Sequence, residues 1–383
     1  MSKPYLITFT PAETFFFGGS VSFDDDYYVQ SAKFPSPSTI MGAIRASLLL
    51  ENGFLLQHRH GRFVPKAYWK EAVGLVGETS LNAFDEENPD FGVIEKISPC
   101  FLIQKNPDKG VANAYFPIPN DIISYEKHFK QIKYEFIRGN TYNCGKKQDF
   151  IPLRKLKSNG AVIKNKNIDS GEFYGGKTFW KTYINNLLNQ SSSNEFSDII
   201  DINKQCFVQN SQVGIGTDRG QTEDGKFYVK KDYFFEDDYA FAVICHLKKE
   251  QKFTKSIMMG GEQSVFQIDV QSLGAEFDDH PIVNKFITNS SPNLSDSDKK
   301  IAISPLIAKE NIFLDANIRH TISTRIESVR MLNSVSKKSK NQFLKTDAIR
   351  IIPTGTVFYI SSDKSFPLLE EGIPDIIGYN QLL

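Results

Sequence analysis

Ser36, Ser38 and Thr39 put three hydroxyls into four residues, just ahead of an apolar run at helical spacing. Arg45 follows about one and a half turns later. Ser36 suits an N-cap and Pro37 the first helical position, where a missing N–H costs nothing. A helix start leaves backbone N–H groups unpaired, and hydroxyls beside them make a seat for a phosphate. The same residues also describe a capped amphipathic helix with Arg45 on its exposed side. Spacing alone leaves both readings open.

Three other groups carry candidate chemistry. Gly214, Gly216, Asp218, Arg219 and Gly220 have the wrong spacing for a dinucleotide loop, and no helix is expected after them. A strand end that carries Arg219 toward RNA or a partner subunit fits better. Gly260 and Gly261 lack the Cβ that would keep a backbone away from a phosphate, and they also suit a helix C-cap followed by a turn. His58, Arg59 and His60 form the densest titratable cluster, but no tyrosine–lysine constellation beside them makes a general acid–base site evident. An exposed loop is the preferred reading there. Cys100, Cys144, Cys206 and Cys245 lie far apart and form no metal-like pair, and no acidic cluster has metal spacing. No metal or cofactor is expected.

The charge balance narrows the class. The 383 residues carry 45 basic and 45 acidic side chains, which argues against a free-standing nucleic-acid binder but not against local patches. Lys127 to Lys166 holds eleven basic and two acidic residues, or +9. Arg319 to Arg350 holds eight and two, or +6, and Glu78 to Glu95 holds six acids. The basic blocks are interleaved with Tyr134, Phe136, Tyr142, Phe150 and Phe343, and basic grooves with rings for base stacking hold single-stranded RNA. The start MSKPYLITFT lacks a basic segment followed by an apolar run, and no stretch has the length of a membrane span. A reduced cytoplasmic protein is expected, with no membrane partner.

The elements that must position these residues follow from periodicity. Tyr5 to Thr10 alternates as a strand, and Phe34 to Gly53 holds a helix closed by Gly53 as a left-handed cap. Residues 90–104 and Tyr115 to Pro117 are expected as strands, and Lys177 to Asn189 as a helix. Phe207 to Thr217 is strand-like. Lys226 to Phe235 and Tyr239 to Leu247 are expected to form a hairpin across Glu236-Asp237-Asp238. Glu250 to Met259 is expected as a short helix, with a strand at Ser264 to Val270 and late strands at Lys300 to Ala308 and Ala348 to Ile360. This order predicts an α+β fold of two split βαβ units, each an antiparallel sheet with helices on one face. The expected division is residues 1–125, a basic insertion and linker at 126–206, and residues 207–383.

Five segments in order resemble one family: ETFFFGG (Glu13 to Gly19), KFPSPSTIMGAIRASLL (Lys33 to Leu49), QVGIGTDRGQTEDGKFYV (Gln212 to Val229), MGGEQS (Met259 to Ser264) and AIRIIPTGTVFYI (Ala348 to Ile360). The ending GIPDIIGYNQLL is similar to a worn glycine-rich loop. Together they resemble the RAMP superfamily of CRISPR proteins, and within it the third subunit of the type III-B (Cmr) effector complex. The resemblance implies two ferredoxin-like, RRM-related domains with an inserted thumb or β-hairpin. It implies a non-catalytic subunit that holds the repeat-derived 5′ handle of the guide RNA. It also implies contact with the large polymerase/cyclase-like subunit and with the backbone RAMP subunit, and indirect contact with target RNA. The RNA-binding set expected on this basis is Lys33, Ser36, Ser38, Thr39, Arg45, Lys146, Lys147, Arg154, Lys155, Lys157, Arg219, Gly260, Gly261, Arg325 and Arg330. Gly378-Tyr379-Asn380 departs from the family, which tends to have a second glycine there. The rival expectations are a metal-independent RAMP endoribonuclease that processes guide-RNA precursor, the equivalent subunit of a type III-A complex, and an assembly protein that only bridges partners.

Overall fold

A computed structural model describes the chain except for residues 1, 19–27, 59–60, 82–85, 87, 107–109, 126–127, 132, 137–152, 157–170, 190–194, 219–220, 237, 261, 274–276, 278, 290–298, 308–317, 325, 330–331, 334–343, 346–348 and 361–371. The described residues form a mixed α and β fold that is mostly sheet. Its six α-helices are α1 (Pro37–Glu51), α2 (Trp69–Val76), α3 (Lys177–Asn189), α4 (Ile202–Gln205), α5 (Pro281–Thr288) and α6 (Ile373–Ile376).

The central strand, Tyr239–Leu247, is buried at every position. It pairs antiparallel with Lys3–Pro11 on one side and with Phe101–Asn106 and Ile94–Ile97 on the other. The sheet extends through Gly110–Pro117, Phe173–Gly175 and Ile199–Asp201 at one end, and through Ser264–Ser272 and Ser256–Met259 at the other. Side chains of a strand alternate between faces, and here both faces are covered. Tyr239, Phe241, Val243, Cys245 and Leu247 pack with Ile40, Met41, Ile44 and Leu48 of α1 and with Leu75 of α2. Ala240, Ala242 and Ile244 pack with Phe179, Trp180 and Tyr183 of α3 and with Ile282, Val283 and Phe286 of α5. The small alanines leave room for the large rings of α3.

Three expectations change. Residues Lys226 to Phe235 pair not with Tyr239–Leu247 but with Phe207–Asp218, as part of the long strand Gln221–Phe235. Tyr239–Leu247 is apolar on both faces, so burial draws it to the sheet centre. Residues 250–259 form no helix; Ser256–Met259 is a strand in a hairpin with Ser264–Ser272. Finally, the N-terminal strands and those after Cys206 share one sheet, with helices on both of its faces instead of one.

The C-terminal residues fold back on the segment Ile301–Ile307. Ile301 and Leu383 exchange backbone hydrogen bonds, and Asn380 Oδ1 accepts from Ile307 N at 2.6 Å. Gly378 has φ +91, and an added Cβ would lie 2.6 Å from Ser98 O, so glycine is required. Asn380 takes the left-handed region itself (φ 57), which asparagine tolerates.

Candidate nucleic-acid interface

The start of α1 is closed by its own sequence. Ser36 is extended (φ −64, ψ 151), and its Oγ accepts from Thr39 N at 3.2 Å. The same oxygen lies 2.9 Å from Ser38 Oγ and 2.8 Å from Thr39 Oγ1, and Ile40 N donates to Ser36 O at 3.1 Å. Ser36 is exposed, with Ser38 and Thr39 half-buried beside it. The three hydroxyls therefore form one mutually bonded cluster at the surface. Beneath it lies Tyr379, 1% exposed. Burial raises the pKa of its phenol, and the nearby Ser38 and Ser36 hydroxyls and Ser38 backbone pull it back. The approach is loose: the Tyr379 hydroxyl completes no hydrogen bond of good geometry.

Lys33 stands on the segment leading into α1. Its Nζ is 2.7 Å from Glu172 Oε1 and 5.9 Å from the centre of the Tyr233 ring. Phe34 stacks on Tyr174 at 5.3 Å and leans on Phe241. The chain on either side is locked into place by backbone bonds: Ser31 N to Lys231 O, Ala32 N to Phe17 O, and Phe15 N to Tyr233 O. Phe17 N also donates to Ser31 Oγ at 2.8 Å.

Gly260 closes the other side. It sits at the tip of the Ser256–Met259/Ser264–Ser272 hairpin with φ +84, and a Cβ there would lie 2.3 Å from Phe16 O. Two residues on, Glu262 pairs with Lys230. Lys230 also lies 3.4 Å from Asp232 Oδ2 and over the Phe16 ring at 5.5 Å. Asp232 is buried and accepts from Asn210 Nδ2 at 2.8 Å and Gln212 Nε2 at 3.2 Å. These contacts join residues 15–17, 31–39 and 230–233 with Gly260, Glu262 and Tyr379 into one contiguous group.

Arg45 is not part of that group. Its Nη1 and Nη2 donate to Thr79 O at 3.0 Å and Gly77 O at 2.9 Å, and the guanidinium lies over the Phe91 ring at 5.7 Å. Burial lowers its pKa and Asp90 opposes the shift. The side chain ties α1 to the turn after α2, which corrects the sequence-based placement beside the hydroxyls. The remaining expected residues lie elsewhere. Arg154 and Lys155 are on Leu153–Leu156, which pairs antiparallel with Lys133–Phe136. Lys146, Lys147, Lys157, Arg219, Gly261, Arg325 and Arg330 lie outside the described residues, as do the rings of Tyr142, Phe150 and Phe343. Glu172, Lys230 and Tyr233 are not singled out by the sequence. They reach the group through contacts between residues that lie far apart in the chain, and no local spacing announces them.

The family described as CRISPR-associated protein (Cas_Cmr3) matches residues 7–291 of this chain. The chain belongs to that family of CRISPR-associated proteins. No curated protein matches it. Among solved structures, it is similar to a chain of the type III-B Cmr-beta complex bound to cognate target RNA and AMPPnP, at 12% identity and TM-score 0.46, covering 100% of this chain and 96% of that one. It is also similar to a chain of the Csm3–Csm4 subcomplex of the type III-A CRISPR-Cas interference complex, at 11% identity and TM-score 0.37, covering 95% and 98%.

Proposed function

We propose that this chain is a non-catalytic RNA-binding subunit of a type III-B (Cmr) effector ribonucleoprotein that holds the repeat-derived 5′ handle of the guide RNA. The observation that carries the proposal is the convergence of separate family-matching segments on the Lys33–Thr39 turn, where hydroxyls and lysines meet at a surface. Two ferredoxin-like, RRM-related units whose strands merge in the one shared sheet are part of the same reading. So are contacts with the large polymerase/cyclase-like subunit and the backbone RAMP subunit, indirect contact with target RNA, and a role in antiviral defence in the cytoplasm.

The chemistry is electrostatic. A phosphate arriving at Lys33 takes the place of Glu172, and one arriving at Lys230 takes the place of Glu262. Both glutamates are half-exposed (side-chain exposures 53% and 50%) and free to swing away, while Lys33 and Lys230 are mostly covered and held in place (17% and 15%). The Ser36–Ser38–Thr39 cluster adds directional donors.

Ultraviolet crosslinking of the assembled particle carrying labelled guide tests the proposal. Handle nucleotides are expected on peptides spanning 31–39 and 228–262. The absence of RNA from this chain would leave only a bridging role. Metal-free incubation with repeat RNA is expected to give no cleavage, whereas cleavage lost on His58 or His60 substitution would make it an endoribonuclease. The neighbouring subunits in the purified particle separate type III-B from type III-A. At the single-residue level, Glu172→Gln is expected to tighten handle binding severalfold by leaving Lys33 uncompensated, measured by fluorescence anisotropy.

A further inference from the structure

The basic blocks noted from the sequence do not include the segment Asn52 to Lys70, yet it carries Arg59, Arg62, Lys66 and Lys70 and no aspartate or glutamate. At its end a short 3-10 turn, Lys66–Tyr68, runs into α2. Trp69 is 56% exposed and Tyr68 43%, the two adjacent in the chain. Isolated exposed rings need no explanation. This pair differs because of what surrounds it.

Phe54, just after α1, packs against the core and lies 5.6 Å from the Tyr68 ring at 32°. One side of Tyr68 is thus backed by protein while 43% of the residue stays open. Trp69 is the first residue of α2 and Tyr68 its N-cap, so the two rings follow one another where the 3-10 turn meets the helix. Lys66, Ala67 and Lys70 are all exposed beside the pair in the chain, and Glu71, the one acid of α2, follows in its first turn. The surroundings are therefore charged and small rather than apolar. Protein interfaces are depleted of lysine and favour a wider apolar core around such rings. Rings flanked by lysines instead match the stacking platforms and basic tracks that hold single-stranded nucleic acid without regard to sequence.

The geometry points to Tyr68 and Trp69, with Lys66 and Lys70, as a second RNA contact on this chain: a stacking platform for single-stranded RNA, separate from the Lys33–Thr39 group. The inference rests on the proposed function only in that RNA runs along this subunit. It does not require the handle.

Trp69 supplies its own probe. The chain has two tryptophans, and Trp180 is completely buried, so emission changes on adding RNA report Trp69. Titrating the full-length chain with a fifteen-nucleotide oligouridylate, which lacks any handle sequence, is expected to quench emission saturably. The apparent Kd is expected to rise with salt. By anisotropy of a labelled oligouridylate, Trp69→Phe keeps affinity within about twofold, while Trp69→Ala loses about tenfold. Lys66→Glu with Lys70→Glu weakens binding by at least as much, and a urea midpoint equal to the parent's reports an intact fold. No quenching at RNA concentrations that saturate handle binding would overturn the inference, and so would quenching indifferent to salt and to both lysines. In the assembled particle, a photo-crosslinker at position 69 is expected to capture RNA, with guide-only and guide-plus-target particles telling which strand. Capture of a protein subunit there would overturn it. Handle crosslinks at 31–39 stand or fall independently of every one of these outcomes.

Discussion

Arg45 separates a structural from a functional arginine. Its guanidinium makes two hydrogen bonds to main-chain carbonyls and lies over a ring, away from the hydroxyl cluster. Hydrogen bonds from a charged donor contribute about 1.5–3 kcal/mol each, and unpaired buried carbonyls add to the loss. Arg45→Ala is therefore expected to lower unfolding free energy by about 3 kcal/mol in urea titration, while the folded variant binds handle RNA within about twofold of the parent. A tenfold loss of affinity at unchanged stability would make Arg45 a phosphate contact after all. His280 offers a test by pH. It caps α5 with Nδ1 accepting from Val283 N at 3.4 Å, while Nε2 donates to Ala114 O at 3.1 Å, so it must be neutral. Burial lowers its pKa from 6.5 to about 4. The unfolded chain therefore takes up this proton first as pH falls. The stability it contributes is full above about pH 6.5, declines through the window down to about pH 4, and amounts to about 3 kcal/mol in all. His246, lowered in the same direction by burial, adds to the decline. His280→Asn keeps a capping side chain without the titration. It is expected to be less stable at pH 7 yet to lose less on going from pH 7 to pH 4.5 in urea unfolding. A parallel loss in both proteins would show that the decline arises elsewhere.

The elements that hold the candidate site rest on the rings of one central strand. Phe241 meets Phe15 at 5.5 Å, Phe17 at 5.9 Å, Phe34 at 5.5 Å and Phe235 at 4.7 Å, so the segments around Lys33 share one support. Phe241→Ala is expected to cost about 3–5 kcal/mol in urea unfolding, and to weaken handle binding more than a surface lysine change because the binding segments lose their common floor. If stability falls while binding holds, those segments are fixed by their backbone bonds alone. This support was only partly visible in the sequence. The amphipathic period gave α1 and its cap, and Lys177 to Asn189 proved to be α3 residue for residue, because in both cases the signal lies within a few turns of one helix. The partner of Tyr239–Leu247 was misjudged because a nearby acidic turn gives a short-range signal, whereas centrality is set by covering both faces, with helices more than fifty residues away in either direction contributing to the cover. Glycine pairs were equally ambiguous. Gly260 looks like a helix end in one dimension, and only the approach of Phe16 reveals the hairpin tip. The hydroxyl cluster was legible as a cap, but Tyr379 beneath it lies more than three hundred residues on and leaves no trace in the local pattern.

Across the whole molecule, the 45 basic and 45 acidic residues cancel, so the chain has no net charge to draw RNA from a distance. Screening confines the effect of each block to about 8–10 Å at ordinary salt. Glu78, Glu86, Asp90 and Glu95 of the acidic block are exposed, where they suit water or protein and repel phosphate. On the proposed function, affinity for guide RNA then comes from phosphates in direct contact with particular lysines and arginines. For single-stranded RNA each such contact contributes about 0.7 to the slope of log affinity against log salt. The +9 block from Lys127 to Lys166 is the largest reserve of such contacts. Replacing Lys146, Lys147 and Arg154 together with glutamine is expected to flatten that slope by about 2, at three contacts of about 0.7 each. The urea midpoint is expected to hold. Anisotropy of labelled handle RNA at a series of salt concentrations gives the slope directly. A uniform drop in affinity with the slope preserved would mean that these residues shape the segment and do not touch phosphate. No change in either would take the block off the RNA path and leave the grip to the Lys33–Thr39 group, where local geometry rather than accumulated charge would have to hold the guide.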